Sequence, residues 1–248
     1  MYNDEPKESE QKPGPDDVAS QSDPHSVPWT SLDVWLGLAS LGLWLALFMA
    51  FLFLVQLLSL DLDPGLILSI GELLLLVPVW WLTVRRYRVG WEALGLRRFR
   101  GQMIGLGCGL MLLSFTFNFF YNLFLALFNL RMQIDLTPVF AELSSPWWLL
   151  VGGAVVAPIA EEIFFRGFVF AGLRQHYGWQ KAALISSAVF AVIHLTPTTI
   201  VPVFILGYIF AYLYHRSNSV WLAISMHILT NALALGAALA MAKLDWPG

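Results

Sequence analysis

Cysteine is nearly missing from this chain, and so is charge. A single thiol, Cys108, excludes an internal disulfide and any cysteine-rich metal site. Only 12% of the 248 residues are charged, against about 25% in a soluble domain. That leaves too little polar surface to cover a globule in water. Nothing in the composition suggests a nucleic-acid partner, and none is expected. The N-terminus has neither the basic start nor the early apolar run of a signal peptide. Several hydrolytic motifs are also missing. There is no His-Glu-x-x-His run for zinc, and no Gly-x-Ser-Gly element ahead of a histidine. No aspartate lies in the C-terminal apolar runs, which disfavours an aspartyl pair.

What is present is apolar: 58% of the residues are hydrophobic. The runs are long enough for spanning helices rather than barrel strands. The fold class expected is all-α, a polytopic transmembrane bundle of about seven spans. Their approximate bounds are 34–60, 66–84, 103–130, 147–173, 182–195, 200–214 and 220–241. The fifth and sixth fall short of the roughly 20 residues a bilayer asks for. Residues 1–30 are polar, acidic and rich in Pro and Ser, and are expected to be a disordered tail. Residues 31–146 then hold three spans, residues 147–242 hold four, and 243–248 form a short tail.

Arg85, Arg86, Arg88, Arg97, Arg98 and Arg100 cluster between the second and third spans. The positive-inside rule places that loop, and with it the N-terminus, in the cytoplasm of a plasma or inner membrane. Tryptophans near span ends, Trp29 among them, read as interfacial anchors. Gly105, Gly107 and Gly109 read as a helix-packing stripe. No internal repeat supports a transporter made of duplicated halves.

The chemistry is concentrated in the last four runs. Glu161, Glu162 and Arg166 lie in the fourth, Ser186, Ser187 and His194 in the fifth, Ser225, His227, Thr230 and Asn231 in the seventh. A charge at the centre of a span costs roughly 2.5–3.5 kcal/mol, so these groups need partners or water. Glu162 and Arg166 are four residues apart, the acid first, and can pair along one face. Glu161 lies about 140° from Arg166 around an ideal helix and is expected to point elsewhere. Two carboxylates in unlike environments are how acid and base roles are divided. His227 and Asn231 share a face, as do Phe190 and His194. Each group alone has a structural explanation: an ion pair for Glu162 and Arg166, packed hydrogen-bonding side chains for His194, His227 and Asn231. Their joint occurrence favours a site. Glu72, in the second span, reads as near a span end and solvated.

Glu161-Glu162-x-x-x-Arg166, then Phe190-x-x-x-His194, then His227-x-x-x-Asn231, resemble the three motifs of the type II CAAX prenyl protease and bacteriocin-processing family, also called the ABI or CPBP family of intramembrane endopeptidases. The likeness spans about residues 147–235. It implies a helical fold with a membrane-embedded cavity open to the cytoplasm, and a membrane-associated or lipidated peptide or protein as substrate. It implies that Glu161 activates a water with help from His194. His227 and Asn231 would donate to the oxyanion, and Glu162 and Arg166 would support the site. It favours metal-free glutamate chemistry and no cofactor. Under the alternative, a zinc peptidase, Glu161, His194 and His227 would supply the ligands. A non-catalytic immunity or binding protein, and a proton-coupled transporter, are the competing classes.

Overall fold

The computed structural model describes residues 25–130, Phe140 and 146–244. The expected disorder of residues 1–24, most of the loop after residue 130 and the last four residues lie outside that range. Among the described residues every regular element is a helix. Six segments are long and apolar enough to cross a membrane: α1 (Ser31–Leu57), α2 (Pro64–Arg85), α3 (Gln102–Ala126), α4 (Trp147–Val192), α5 (Pro197–Ser217) and α6 (Val220–Leu244).

The expectation of about seven spans therefore needs one correction. The fourth and fifth runs share α4, which is 46 residues long. A straight helix of that length would measure about 69 Å, over twice a hydrocarbon core. It is not straight. Gly178 has φ 76° and ψ 160°, a region that side chains exclude almost completely. There the chain reverses. Ser186 Oγ donates to the Phe165 carbonyl at 3.0 Å, although 21 residues separate them, and the Phe165 and Phe190 rings meet edge to face at 5.1 Å. On one rod these groups would lie about 31 Å apart. α4 is thus a hairpin with a first arm (147–177) and a second arm (179–192).

Half of α4 is covered by the rest of the protein, whereas almost none of α1 is. Leu43, Leu47, Phe53, Leu112 and Phe119 on α1 and α3 all stand exposed. Apolar rows of that length need an apolar surrounding, which the bilayer supplies. The α4 hairpin is the centre of the bundle and the other helices form its rim.

Local signals explain the ends. Thr30 and Asp33 cap α1 reciprocally through a capping box. Asp63 accepts from the Gly65 and Leu66 amides ahead of α2, with Pro64 in the first turn. Trp29 is not the interfacial anchor expected. It is 1% exposed, and its indole N–H donates to the Phe168 carbonyl at 3.1 Å. Val27 exchanges two main-chain hydrogen bonds with the Gln175 amide, so residues 25–30 strap the α4 hairpin. Of the three glycines on α3, only Gly107 packs closely, against Met226.

Candidate active site

α4 carries two stretches of wide π-helical turns, Gly152–Val156 and Ile163–Phe170. Wide turns inside α-helices recur at functional sites. Side chains of other elements bond carbonyls within them. Asn231 Nδ2 donates to Gly153 O at 2.9 Å, Ser186 to Phe165 O and Trp29 to Phe168 O. Between and within these stretches sit Glu161, Glu162 and Arg166.

Glu162 and Arg166 pair as their spacing predicts, Nη1 to Oε1 at 2.8 Å, with both side chains fully buried. The second guanidinium arm donates to the Gly207 carbonyl of α5 at 3.0 Å. Phe190 lies 4.4 Å from the guanidinium carbon and Phe210 5.3 Å, ring centre to carbon. The cation is therefore held by a carboxylate, a carbonyl and two aromatic faces, which is what a desolvated charge requires.

His227 joins α6 to this pair. Its Nδ1 lies 2.9 Å from the same Glu162 oxygen that Arg166 uses. An ionised carboxylate only accepts, so Nδ1 carries the proton in that bond. The other ring nitrogen, Nε2, faces Glu161 Oε2 at 3.7 Å. Glu161, expected to point away from Arg166, makes its ion-pair contact with His227. It avoids Arg166 but converges with Glu162 on one imidazole, from the opposite edge. The wide turns that follow Glu162 and the approach of α6 cause this, and neither is visible in helical spacing. Phe210 stacks on the His227 ring at 4.9 Å. Glu161 Oε2 is buried and finds no hydrogen-bond partner among the described residues.

His194 sits just past the end of the second arm, its Nδ1 held by the Phe190 carbonyl at 2.7 Å. Its ring meets Phe190 edge to face at 4.8 Å, and the same Phe190 ring lies 5.9 Å from His227. The two histidines thus flank one phenylalanine. Asn231 lies one turn beyond His227 and spends one amide hydrogen on Gly153. Ser225 and Thr230 bond carbonyls of their own helix and take no part.

Two residues escaped the sequence. A side chain at Gly207 would come within 3.1 Å of both Arg166 and Phe190, so only glycine lets α5 deliver its carbonyl to the guanidinium. The signal was a lone glycine in an apolar run, which is uninformative alone. Glu72 is the second. It lies inside α2 rather than near its end, and its Oε2 is buried without a partner among the described residues.

Among the described residues no three His, Cys, Asp or Glu side chains converge as a metal-binding set. His194 Nδ1 is bonded to Phe190 and His227 Nδ1 to Glu162, which engages one nitrogen of each ring and leaves the Nε2 edge to either chemistry.

The fold and the cluster define a class: a multi-span helical membrane protein with a buried carboxylate, guanidinium and imidazole assembly at its centre. Residues 143–233 match the family model described as Type II CAAX prenyl endopeptidase Rce1-like. All seven named positions of the three motifs fall inside the match. The chain is also similar to the "Putative membrane peptidase YdiL" of Bacillus subtilis (strain 168), 31% identical over 87 residues. That alignment covers 35% of this chain and 36% of the relative, so about a third of that protein's length is spanned. No solved structure matches.

Proposed function

We propose that the protein is an intramembrane endopeptidase that hydrolyses a peptide bond in a membrane-associated or lipidated peptide, using a water activated by Glu161. The observation that carries this reading is the meeting of Glu161 and His227 across 3.7 Å, braced from behind by the buried Glu162–Arg166 pair. A buried carboxylate with an unpartnered oxygen is a base in want of a proton. A structural ion pair would not need a second glutamate there.

In this reading Glu161 takes a proton from water as the water oxygen bonds to the carbonyl carbon, with His194 helping to hold the water. The oxyanion forms on the His227 side. Asn231 has a second amide hydrogen to donate there, and His227 Nε2 donates as well when both of its ring nitrogens carry hydrogen. Glu162 and Arg166 fix the His227 ring. Glu161 then returns its proton to the nitrogen, and the carbon–nitrogen bond breaks. The cavity open to the cytoplasm that the resemblance implies would admit a substrate already in the bilayer.

The test is cleavage of a lipidated peptide library by the purified protein in liposomes, with and without a chelator. Cleavage that survives the chelator and disappears in Glu161→Gln supports the reading. Cleavage abolished by the chelator and restored by Zn2+ would replace it with the metallopeptidase. Peptide binding with no cleavage would make the protein a binder.

A further inference from the structure

Glu72 is a membrane-embedded carboxylate that the proposed reaction does not use. It lies on α2, whose first turns dock on the start of α4 with almost no side chain between them. A Cβ on Gly65 would fall 2.2 Å from the Leu149 main-chain nitrogen, and one on Gly152 would fall 2.6 Å from Ser69 Oγ and 3.0 Å from the Gly65 carbonyl. The contacts pair Gly65 with Trp148 and Leu149 and Ser69 with Gly152, so the two helices run parallel and their register is set by small residues. This close docking carries Glu72 toward the turn that bears Glu161. One oxygen of Glu72 and one of Glu161 are buried there without hydrogen-bond partners among the described residues, as is Glu162 Oε2, on a side chain with no exposure. His227 approaches Glu161 from α6, whereas Glu72 approaches from α2. Donors on α6 and a second carboxylate on α2 thus belong to helices that both pack on the stretch bearing Glu161.

Amide hydrolysis makes two opposite charges in succession. The carbonyl oxygen becomes an anion when water adds. The nitrogen becomes a cation when Glu161 delivers the proton to it, just before the carbon–nitrogen bond breaks and the bonding pair stays on nitrogen. Away from water the second charge needs an anion as much as the first needs donors.

We propose that Glu72 is a further catalytic residue, whose carboxylate stabilises the cationic leaving nitrogen while the His227 side stabilises the oxyanion. The inference rests on the peptidase reading above. It gives this site a polarity, with the acyl side of the substrate toward α6 and the amine side toward α2.

The experiment compares an amide substrate with its matched ester in the purified protein, since an ester's leaving oxygen departs without passing through a cation. Glu72→Gln keeps the side chain's size. It is expected to lower kcat on the amide about tenfold to a hundredfold, to leave KM within about twofold, and to leave ester kcat within about threefold. Glu72→Asp is expected to recover part of the amide rate. Equal loss on amide and ester, or no loss on either, overturns the proposal. Melting temperatures of Glu72→Gln and Glu72→Ala identify a folding defect, and a rate loss that only follows lost folded protein also overturns it. Glu161→Gln run in parallel separates the two readings: it should abolish both cleavages. If it does not, the peptidase reading fails, and if it does while Glu72→Gln is neutral, only this inference fails.

Discussion

Arg166 shows how a charge is kept in this membrane protein. Its guanidinium has a carboxylate on one arm, a carbonyl on the other and aromatic faces around it. Removing one partner of such a pair costs about 3–5 kcal/mol, because the survivor is left buried and unpaired. Gly207 is the subtler member. Its neighbours are fixed: Arg166 is bonded at both ends and Phe190 is 1% exposed. Gly207→Ala is therefore expected to destabilise the protein by about 1–3 kcal/mol and to lower proteolysis, read as a drop in melting temperature in detergent alongside the cleavage rate. An unchanged melting temperature would show that the guanidinium can move aside. The Glu162–Arg166 pair was legible because its partners are one helical turn apart. Gly207 and Glu72 were not, because their partners lie on α4, and a single chain's periodicity does not say which helices touch.

At the scale of the element, the α4 hairpin and its strap matter most. Apolar length suggested two spans where α4 lies, and the reversal at Gly178 explains why one continuous segment contains both. The π-helical turns left no mark in the residue pattern, since they depend on Asn231, Ser186 and Trp29 reaching in from elsewhere. A second knot ties α1 to the end of α2. Asp33 pairs with Arg86 at 2.9 Å and accepts from the Tyr87 hydroxyl at 2.5 Å. That hydrogen bond first, then burial, holds the Tyr87 phenol above its ordinary value. A raised phenol stabilises the fold fully below its unfolded value near pH 10, and the stabilisation is lost as pH climbs through the higher folded value. The melting temperature of wild type should exceed that of Tyr87→Phe by a constant margin from about pH 6 to 9 and lose that margin above about pH 10. A margin that stays level through pH 11, or no margin at neutral pH, would contradict this.

For the whole molecule, composition already carried the main conclusion. Few charges and long apolar runs required a membrane, and α1 and α3 keep their large side chains exposed for it. With the α4 hairpin counted as two crossings, the positive-inside rule leads to the expectation that the basic loop after α2 and the N-terminus share the cytoplasmic side and the C-terminus lies opposite. Single cysteines placed in the tail, in the 88–100 loop and after residue 243, in a Cys108→Ser background, test this in intact cells. An impermeant maleimide should label only the C-terminal position. Labelling of the loop would reverse the orientation and, with it, the side from which substrate enters.

The account divides labour between two adjacent glutamates, Glu161 for chemistry and Glu162 for architecture. The most direct measurement is cleavage rate and melting temperature, side by side, for Glu161→Gln and Glu162→Gln. Glu161→Gln should keep the wild-type melting temperature within a few degrees and lose at least about a thousandfold in rate. Glu162→Gln should lose melting temperature, because the amide oxygen that remains carries no charge to offset the buried Arg166. Wild-type turnover by a folded Glu161→Gln protein would contradict the account.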